Sequence, residues 1–239
     1  MQRLKFHFHK LLQRTGYKLV SMENMTVRHL RHMLTVHRIA TVIDVGANCG
    51  QYGMELRRAG FLGKIISCEP LQHPFEKLKA SAAADLNWHC LNVALSDQNQ
   101  ALTLNVSQSP EYSSVLPLLP STVDRDSNAR VTRVETVTAR TLDSIWTEMD
   151  FAGGPTMLKI DTQGSEPKIL RGASSSLPKL AAVQLELSAE PIYAGQPVME
   201  TMIGELREAG FVPFVIWPGF HDIYTGRVLE YEGIFIRAS

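Results

Sequence analysis

The sequence lacks any apolar run close to the roughly 20 residues that a membrane-spanning helix needs. Its start, MQRLKFHFHKLL, is interrupted by charge too often for the apolar part of a secretory signal peptide. Membrane insertion and export are therefore not expected. Cysteine is also scarce, since the chain has three, Cys49, Cys68 and Cys90, without a CxxC pair. An odd count without paired spacing favours a reducing, cytoplasmic location.

The chain also lacks net charge, with 24 Lys and Arg against 24 Asp and Glu, but the charges are unevenly placed. Residues 1–40 contain eight Lys and Arg and a single acid, Glu23. We interpret residues 1–40 as a basic helical extension that docks on the acidic remainder of the chain or, alternatively, on an anionic membrane or glycolipid surface. Because the remainder has no basic stripe, a nucleic-acid partner is not expected.

From residue 41 onward, short β-branched runs alternate with amphipathic stretches, a pattern typical of β-α-β units around a parallel sheet. We predict one α/β domain over residues 41–239, with a doubly wound, mostly parallel seven-stranded sheet that ends in an antiparallel hairpin. The predicted strands cover residues 41–45, 64–68, 88–93, 156–161, 181–187, 211–217 and 231–237, and the predicted helices cover 50–59, 74–84, 166–170 and 198–209.

Residues 107–132 interrupt this alternation. The segment is rich in Ser and Pro, has no periodicity and is longer than most connections in compact domains. We predict that it is either a lid over a binding site or disordered.

The first predicted strand leads from Asp44 into a turn that contains Gly46, Asn48 and Gly50. Ligands of open α/β sheets bind at this edge. A dinucleotide site needs a glycine where Asn48 stands, so that the backbone can approach the pyrophosphate, which Asp44 would also repel. The ammonium group of S-adenosylmethionine would instead be attracted by Asp44, and its carboxylate by the helix N-terminus. The turn therefore favours S-adenosylmethionine.

Two further groups of residues are predicted to bind the adenosine part of this cofactor. Glu69 and Pro70 close the second strand, where an acid can accept hydrogen bonds from both ribose hydroxyls. Asn92, Ser96 and Asp97 follow the third strand and are candidates for contacts with adenine, with helix capping as the alternative for Ser96 and Asp97.

Asp161 and Glu186, which end the fourth and fifth strands, are the main candidates for catalysis. Methyl transfer needs an acceptor oxygen about 3 to 3.5 Å from the methyl carbon and a group that takes its proton. Two acids in one cleft would supply a general base or hold a divalent metal such as Mg²⁺. Alternatively, Asp161 caps the following helix and Glu186 pairs with a cation. His221, in the turn GFHD, is a third candidate base, or else an ordinary surface histidine.

These motifs resemble the FkbM family of methyltransferases over about residues 42–237. The likeness lies in DVGANCG (44–50), CEP (68–70), LKIDTQGSEPKILRGA (158–173) and VQLELS (183–188). It implies a Rossmann-like class I methyltransferase fold and O-methylation of a hydroxyl, often on a sugar, glycolipid, polysaccharide or polyketide. Two positions depart from the family pattern: Gln163 stands where many relatives carry an acid, and Glu232 where a subgroup often has Asp.

Two other functions stay open beside methylation of a small-molecule or saccharide acceptor. The chain could bind S-adenosylmethionine as a non-catalytic sensor or partner subunit, or it could be a nicotinamide oxidoreductase. The presence of both Asp161 and Glu186 favours an enzyme. Metal dependence and the oligomeric state, including a homo-oligomer, are left open by the sequence.

Overall fold

A computed structural model describes residues 25–149, 151, 154–222 and 225–238. Residues 1–24, which hold most of the predicted basic extension, lie outside this part of the chain. The strands are β1 (Thr41–Val45), β2 (Lys64–Cys68), β3 (Trp88–Leu91), β4 (Ala94–Leu95), β5 (Gln100–Ser107), β6 (Val131–Arg140), β7 (Thr156–Ile160), β8 (Leu180–Ser188), β9 (Phe211–Pro218) and β10 (Glu230–Arg237). The helices are α1 (Met25–Val36), α2 (Gln51–Arg58), α3 (Gln72–Ala82), α4 (Pro120–Arg125), α5 (Leu142–Glu148), α6 (Glu166–Arg171) and α7 (Met199–Glu208).

Seven strands form the main sheet in the order β3-β2-β1-β7-β8-β10-β9. The first five strands in this order, β3, β2, β1, β7 and β8, run parallel to one another. Strand β10 lies between β8 and β9 and is antiparallel to both. The predicted doubly wound, mostly parallel sheet with a C-terminal antiparallel hairpin is therefore confirmed. Because β2, β1, β7 and β8 are neighbours and run parallel, their carboxyl ends meet at one edge of the sheet.

Both faces of the main sheet are buried by helices. Within β1, Ile43 packs into the core that contains Leu158 and Val183, whereas Val42 packs into the core on the opposite face. All five residues of β1 are buried. This arrangement explains the nearly continuous apolar strands, since strands covered on both sides have no polar face.

Helix α1 belongs to the second of these cores, where Leu30, Met33 and Leu34 pack together with Ile234 of β10. The part of residues 1–40 that the structure describes is thus helical from Met25 to Val36. None of the described helices combines the length and the apolar composition that crossing a membrane requires.

A second, three-stranded sheet in the order β4-β6-β5 was not predicted. Strand β5 pairs antiparallel with β6 along its length, and Leu104, Val106 and Val137 form a small core beneath the pair. The sequence of β6, VTRVETVTAR, leaves most of its side chains in solvent. The alternation of apolar and polar residues that predicts a strand is therefore weak in β6.

The segment 107–132 lies between β5 and β6 and contains regular structure. It includes α4 and two 3-10 turns, Pro110–Tyr112 and Ser127–Ala129. The hydroxyl of Ser114 donates to the carbonyl of Gln163 (2.6 Å), and that of Thr122 donates to the carbonyl of Ile192 (3.0 Å). The segment is thereby fixed against the loops that follow β7 and β8. Its role as a lid stays a prediction.

Candidate active site

A cavity of about 550 Å³ opens at the edge where the carboxyl ends of the parallel strands meet. It is lined by the turn after β1, the ends of β2, β7 and β8, strand β10, and residues 110–115 of the segment between β5 and β6. Of the predicted site residues, the lining includes Gly46, Asn48, Glu69, Pro70, Asp161 and Glu186.

The turn between β1 and α2 packs directly against the end of β7. Gly46 has a positive φ of +79°, and a Cβ atom there would lie 1.8 Å from the backbone oxygen of Asp161. Only glycine allows this approach. Asn48 also has a positive φ (+48°), and its backbone N–H donates to Glu69 Oε2 at 2.9 Å. The turn is thus tied to both neighbouring strands.

Glu69 is buried and held by the backbone. Its Oε1 accepts from the N–H of Leu71 (2.9 Å) and its Oε2 accepts from that of Asn48 (2.9 Å). Burial raises the pKa of Glu69 to about 7, although these two N–H groups act to lower it. The carboxylate therefore has a fixed position in the lining, with further lone pairs that can accept from ligand hydroxyls.

Asp44 does not lie where the sequence suggested. It is fully buried, and its Oδ2 accepts from the Ser67 hydroxyl (3.1 Å) while Lys159 Nζ lies 3.3 Å from its Oδ1. Burial raises the pKa of Asp44 and Lys159 lowers it. The carboxylate is paired with Lys159 inside the protein and lies outside the cavity lining, so its predicted contact with a ligand stays a prediction.

Lys159 was not singled out from the sequence, although a lysine within the buried run TMLKI is an unusual feature. Its Nζ lies 3.3 Å from Asp44 Oδ1 and 3.1 Å from Asp161 Oδ2, and 5.2 Å from the ring centre of Tyr52. Burial alone would lower the pKa of Lys159, but Asp161 and Asp44 raise it above its ordinary value. Lys159 is therefore a permanent cation at the base of the cavity.

The structure brings Asp161 and Glu186 together through Gln163. The Nε2 of Gln163 donates to Glu186 Oε2 (2.8 Å) and to Asp161 Oδ1 (3.3 Å), while its Oε1 accepts from the Tyr193 hydroxyl (3.0 Å). Gln163 has a positive φ of +58°. An acid at this position would repel both carboxylates, whereas the amide donates to both.

Strand β10 adds two acids to this group. Its antiparallel register places Glu232 opposite Glu186 and Glu230 opposite Ser188. Burial raises the pKa of Glu230 and of Glu232 to about 7. The pKa of Glu186 is also raised, mainly by burial and to a smaller extent by the charge of Asp161. Glu230 was not predicted as a site residue. The alternation in LEYEG could have placed both acids on one face of a strand.

Three predicted adenine contacts lie outside the lining. Asn92 Nδ2 donates to the carbonyls of Glu69 (2.9 Å) and Pro70 (3.1 Å), so it fixes the end of β2. Ser96 is buried and donates to Asp97 Oδ1 (3.2 Å), and Asp97 Oδ2 lies 3.4 Å from Arg171 Nη2. Asn92 Nδ2, Ser96 and Asp97 thus bond within the protein, and their contacts with adenine stay a prediction.

Gly50 and His221 also lie outside the lining. A Cβ at Gly50, whose φ is +91°, would meet Leu78 and Trp88 at 3.1 and 3.2 Å, so this glycine serves packing. His221 forms an isolated β-bridge with Val228 in the connection between β9 and β10. Its neighbour Phe220 lines the cavity instead. The prediction of His221 as a base is therefore not supported by its position.

The acids of the cavity do not form a site for a metal ion. Among the residues that the structure describes, no three His, Cys, Asp or Glu side chains are grouped so that they could hold one. Lys159 and Gln163 donate to oxygens of Asp161 and Glu186 that a cation such as Mg²⁺ would need. The predicted alternative of a divalent metal does not fit this arrangement.

Comparison with known proteins gave one family match. The model of the Methyltransferase FkbM domain matches residues 44–213, a span that holds the turn after β1, Glu69, Asp161 and Glu186. No curated protein matches the chain.

Solved structures of methyltransferases are similar to the chain at low identity. A magnesium protoporphyrin IX methyltransferase from Synechocystis PCC 6803, with bound S-adenosylmethionine, is 10% identical with a TM-score of 0.49, over 97% of this chain and 91% of that one. An rRNA methylase from Streptococcus thermophilus is 9% identical with a TM-score of 0.49, over 93% of this chain and 100% of that one.

Proposed function

Because the chain belongs to the FkbM methyltransferase family and is an S-adenosylmethionine-dependent methyltransferase, we propose that it transfers the methyl group to a hydroxyl of a saccharide or a related small molecule. The observation that supports this proposal is the pairing of Asp161 and Glu186 through Gln163 in the cavity that also contains Glu69. Under this proposal, the cofactor and the proton acceptor would share one cavity.

The cofactor would bind across the ends of β1 and β2. Glu69 would accept hydrogen bonds from the ribose hydroxyls, since the backbone fixes both of its oxygens. The turn at residues 46–48 would lie against the methionine part. S-adenosylmethionine supplies an electrophilic methyl group when bound, and Asp161, which lines the cavity, favours the positive sulfonium.

Methyl transfer would be an in-line displacement. The acceptor oxygen forms a bond to the methyl carbon, the carbon–sulfur bond breaks, and its electron pair stays on sulfur. The hydroxyl proton passes to Glu186, whose raised pKa makes it a stronger base than an ordinary glutamate. Asp161, the other main candidate from the sequence, is less suited to accept the proton, because its Oδ2 is held in an ion pair by Lys159 (3.1 Å).

Mass spectrometry tests the reaction. The purified chain, incubated with S-adenosylmethionine and a panel of sugars, is expected to add one methyl group to an acceptor. Glu186→Gln should lower turnover by roughly 10² to 10⁴ while the affinity for S-adenosylhomocysteine stays the same, because only the proton acceptor is lost. The exposed Glu205 of α7 provides a matched control, Glu205→Gln, which should leave turnover unchanged.

Three outcomes would count against the proposal. An equal loss of turnover and cofactor affinity in Glu186→Gln would contradict the role of that residue. Binding of S-adenosylhomocysteine without transfer to any acceptor would favour the sensor alternative. Failure to bind S-adenosylhomocysteine at all would contradict methyl transfer from S-adenosylmethionine by this chain.

The same proposal includes a cytoplasmic setting and a small acceptor. The three cysteines are free, which suits a reducing compartment. The cavity lining contains seven Asp and Glu side chains and a single Lys, an excess of acid that would repel the phosphates of a nucleic acid.

A further inference from the structure

The acceptor end of the cavity has an excess of negative charge. Under the proposed function, Glu69 serves the ribose, and Lys159 already offsets Asp161. Of the other acids in the lining, Glu186, Glu230 and Glu232 lie on the neighbouring strands β8 and β10 and have no cation of their own there. An acceptor that binds beside them must tolerate or neutralise this charge.

Glu230 is the least satisfied of these acids. The residue is 5% exposed, and its Oε1 is buried without a hydrogen-bond partner among the described residues. The neighbouring carboxyl group of Glu186 lowers the pKa of Glu230, against the larger opposite effect of burial. A buried polar atom without a partner costs free energy, so a donor that reaches Oε1 would bind favourably.

The charged groups that act most strongly on Glu230 are all acidic. They are Glu186 of β8, Asp161 after β7, Glu166 of α6 and Glu232 of β10. A cationic donor would be attracted by every one of them, whereas an acceptor with a carboxylate or phosphate would be repelled.

Aromatic side chains lie near the same position. The carbonyl of Phe220 accepts from the N–H of Glu230 (3.2 Å), and the ring of Phe220 is 45% exposed in the cavity lining. Tyr112 also lines the cavity. Burial raises the pKa of Tyr112 to about 12, with smaller contributions in the same direction from Asp126 and Glu230. Aromatic faces attract cations as well as sugar rings.

We propose that the acceptor carries an ammonium group close to the hydroxyl that is methylated, as an amino sugar does, and that Glu230 binds this ammonium group. This inference rests on the proposed function and narrows its acceptor to one class. The hydroxyl is delivered to Glu186 and the methyl group, while the ammonium donates to Glu230 Oε1. The ammonium is not consumed, so the atom balance of methyl transfer is unchanged.

Cation binding should also release a proton. Burial raises the pKa of Glu230 to about 7, so part of the free protein holds a proton there at that pH. An ammonium group stabilises the ionised carboxylate and displaces this proton, whereas a neutral ligand does not.

Calorimetry on the full chain saturated with S-adenosylhomocysteine tests the inference. Matched pairs of amino sugars and their neutral N-acetyl derivatives (glucosamine, galactosamine and mannosamine) are titrated at pH about 7 in two buffers with different heats of ionisation. We expect at least one amino sugar to bind about tenfold or more tightly than its N-acetyl partner, with a proton released to the buffer. Glu230→Gln should abolish both the preference and the proton release. The affinity for S-adenosylhomocysteine, measured separately, should not change in this variant and shows that it is folded.

A control and two opposite results define the outcome. Glu208→Gln removes one exposed acid of α7 and should keep the preference. Equal or tighter binding of the N-acetyl sugars, no binding of any amino sugar, or a preference that survives Glu230→Gln would overturn the inference. Methylation of neutral sugars alone would overturn the inference and leave the proposed function intact. Absence of methyl transfer to every acceptor would instead contradict the proposed function.

Discussion

Lys159 is the residue on which the buried charges of the site depend. It is 5% exposed and lies within 3.3 Å of two carboxylates, one of them the fully buried Asp44. A buried ion pair is not strongly stabilising in itself, because both groups lose their hydration. Removing one partner is different, since it leaves the other charge buried and unpaired.

Lys159→Met tests this dependence. We expect a loss of about 3 to 5 kcal/mol in the free energy of unfolding, because Asp44 keeps its burial and loses its cation. Urea denaturation measures the loss, and Lys77→Met on the exposed surface of α3 is the control. The double variant Asp44→Asn with Lys159→Met should recover part of the loss. A cost of less than about 1 kcal/mol for Lys159→Met would show that Asp44 is neutral without it.

Single residues also show how much of the cavity lining could be predicted from the sequence. Gly46, Asn48 and Glu69 line the cavity, as predicted from the sequence. They could be predicted because a turn after a strand and the end of a strand are recognisable from a few neighbouring residues. The pairing of Asp44 with Lys159 could not be predicted in this way, because Lys159 is distant along the chain. Which of two acids faces a ligand depends on such partners.

At the scale of elements, the contact between the β1–α2 turn and the end of β7 shapes the end of the cavity where we propose that the cofactor binds. The contact exists because Gly46 has no side chain, and the backbone oxygen of Asp161 occupies the space where a Cβ would be. Gly60, after α2, also has a positive φ (+85°), but nothing lies within 4 Å of its virtual Cβ. The two glycines therefore separate steric overlap from backbone strain.

Gly46→Ala should push the turn away from β7 and weaken binding of S-adenosylhomocysteine by at least about tenfold, in addition to a loss of a few kcal/mol in stability. Gly60→Ala should cost only the strain of a left-handed residue, about 1 to 2 kcal/mol, and leave the affinity unchanged. Calorimetry and urea denaturation of both variants provide the comparison. Equal effects on affinity would contradict a specific role for the turn.

The elements also show which patterns are legible in a sequence. Strands β1, β2, β7 and β8 were placed within one or two residues because they are short apolar runs between turn residues. The sheet of β4, β5 and β6 was missed, because its strands keep many polar side chains in solvent and pair with residues 24 to 45 positions away.

At the scale of the whole molecule, several acids are buried in one cavity of a chain without net charge. Burial raises the pKa of Glu69, Glu230 and Glu232 from 4.5 to about 7 in the folded state. Between these values the folded state binds more protons than the unfolded chain. Its stability must therefore fall as the pH rises through this window.

The free energy of unfolding of the free protein should decrease by a few kcal/mol between pH about 5 and pH about 7. Acids with lowered pKa, such as Asp143, act in the opposite sense only at lower pH. Urea denaturation at a series of pH values measures the slope. Glu232→Gln should make the slope shallower, and a stability that rises through the same window would contradict the raised pKa values of these acids.

The sequence by itself determined the order of the main-sheet strands along the chain, the sheet edge where a ligand is expected and the family, because these depend on local periodicity, turn residues and contiguous motifs. Tertiary structure alone decided which acids meet: β10 brings Glu230 and Glu232 to Glu186, and β7 brings Lys159 to Asp44. The physical reason is that burial and charge pairing arise between strands that are adjacent in the sheet but distant in the chain. Such contacts leave no periodic pattern in the sequence.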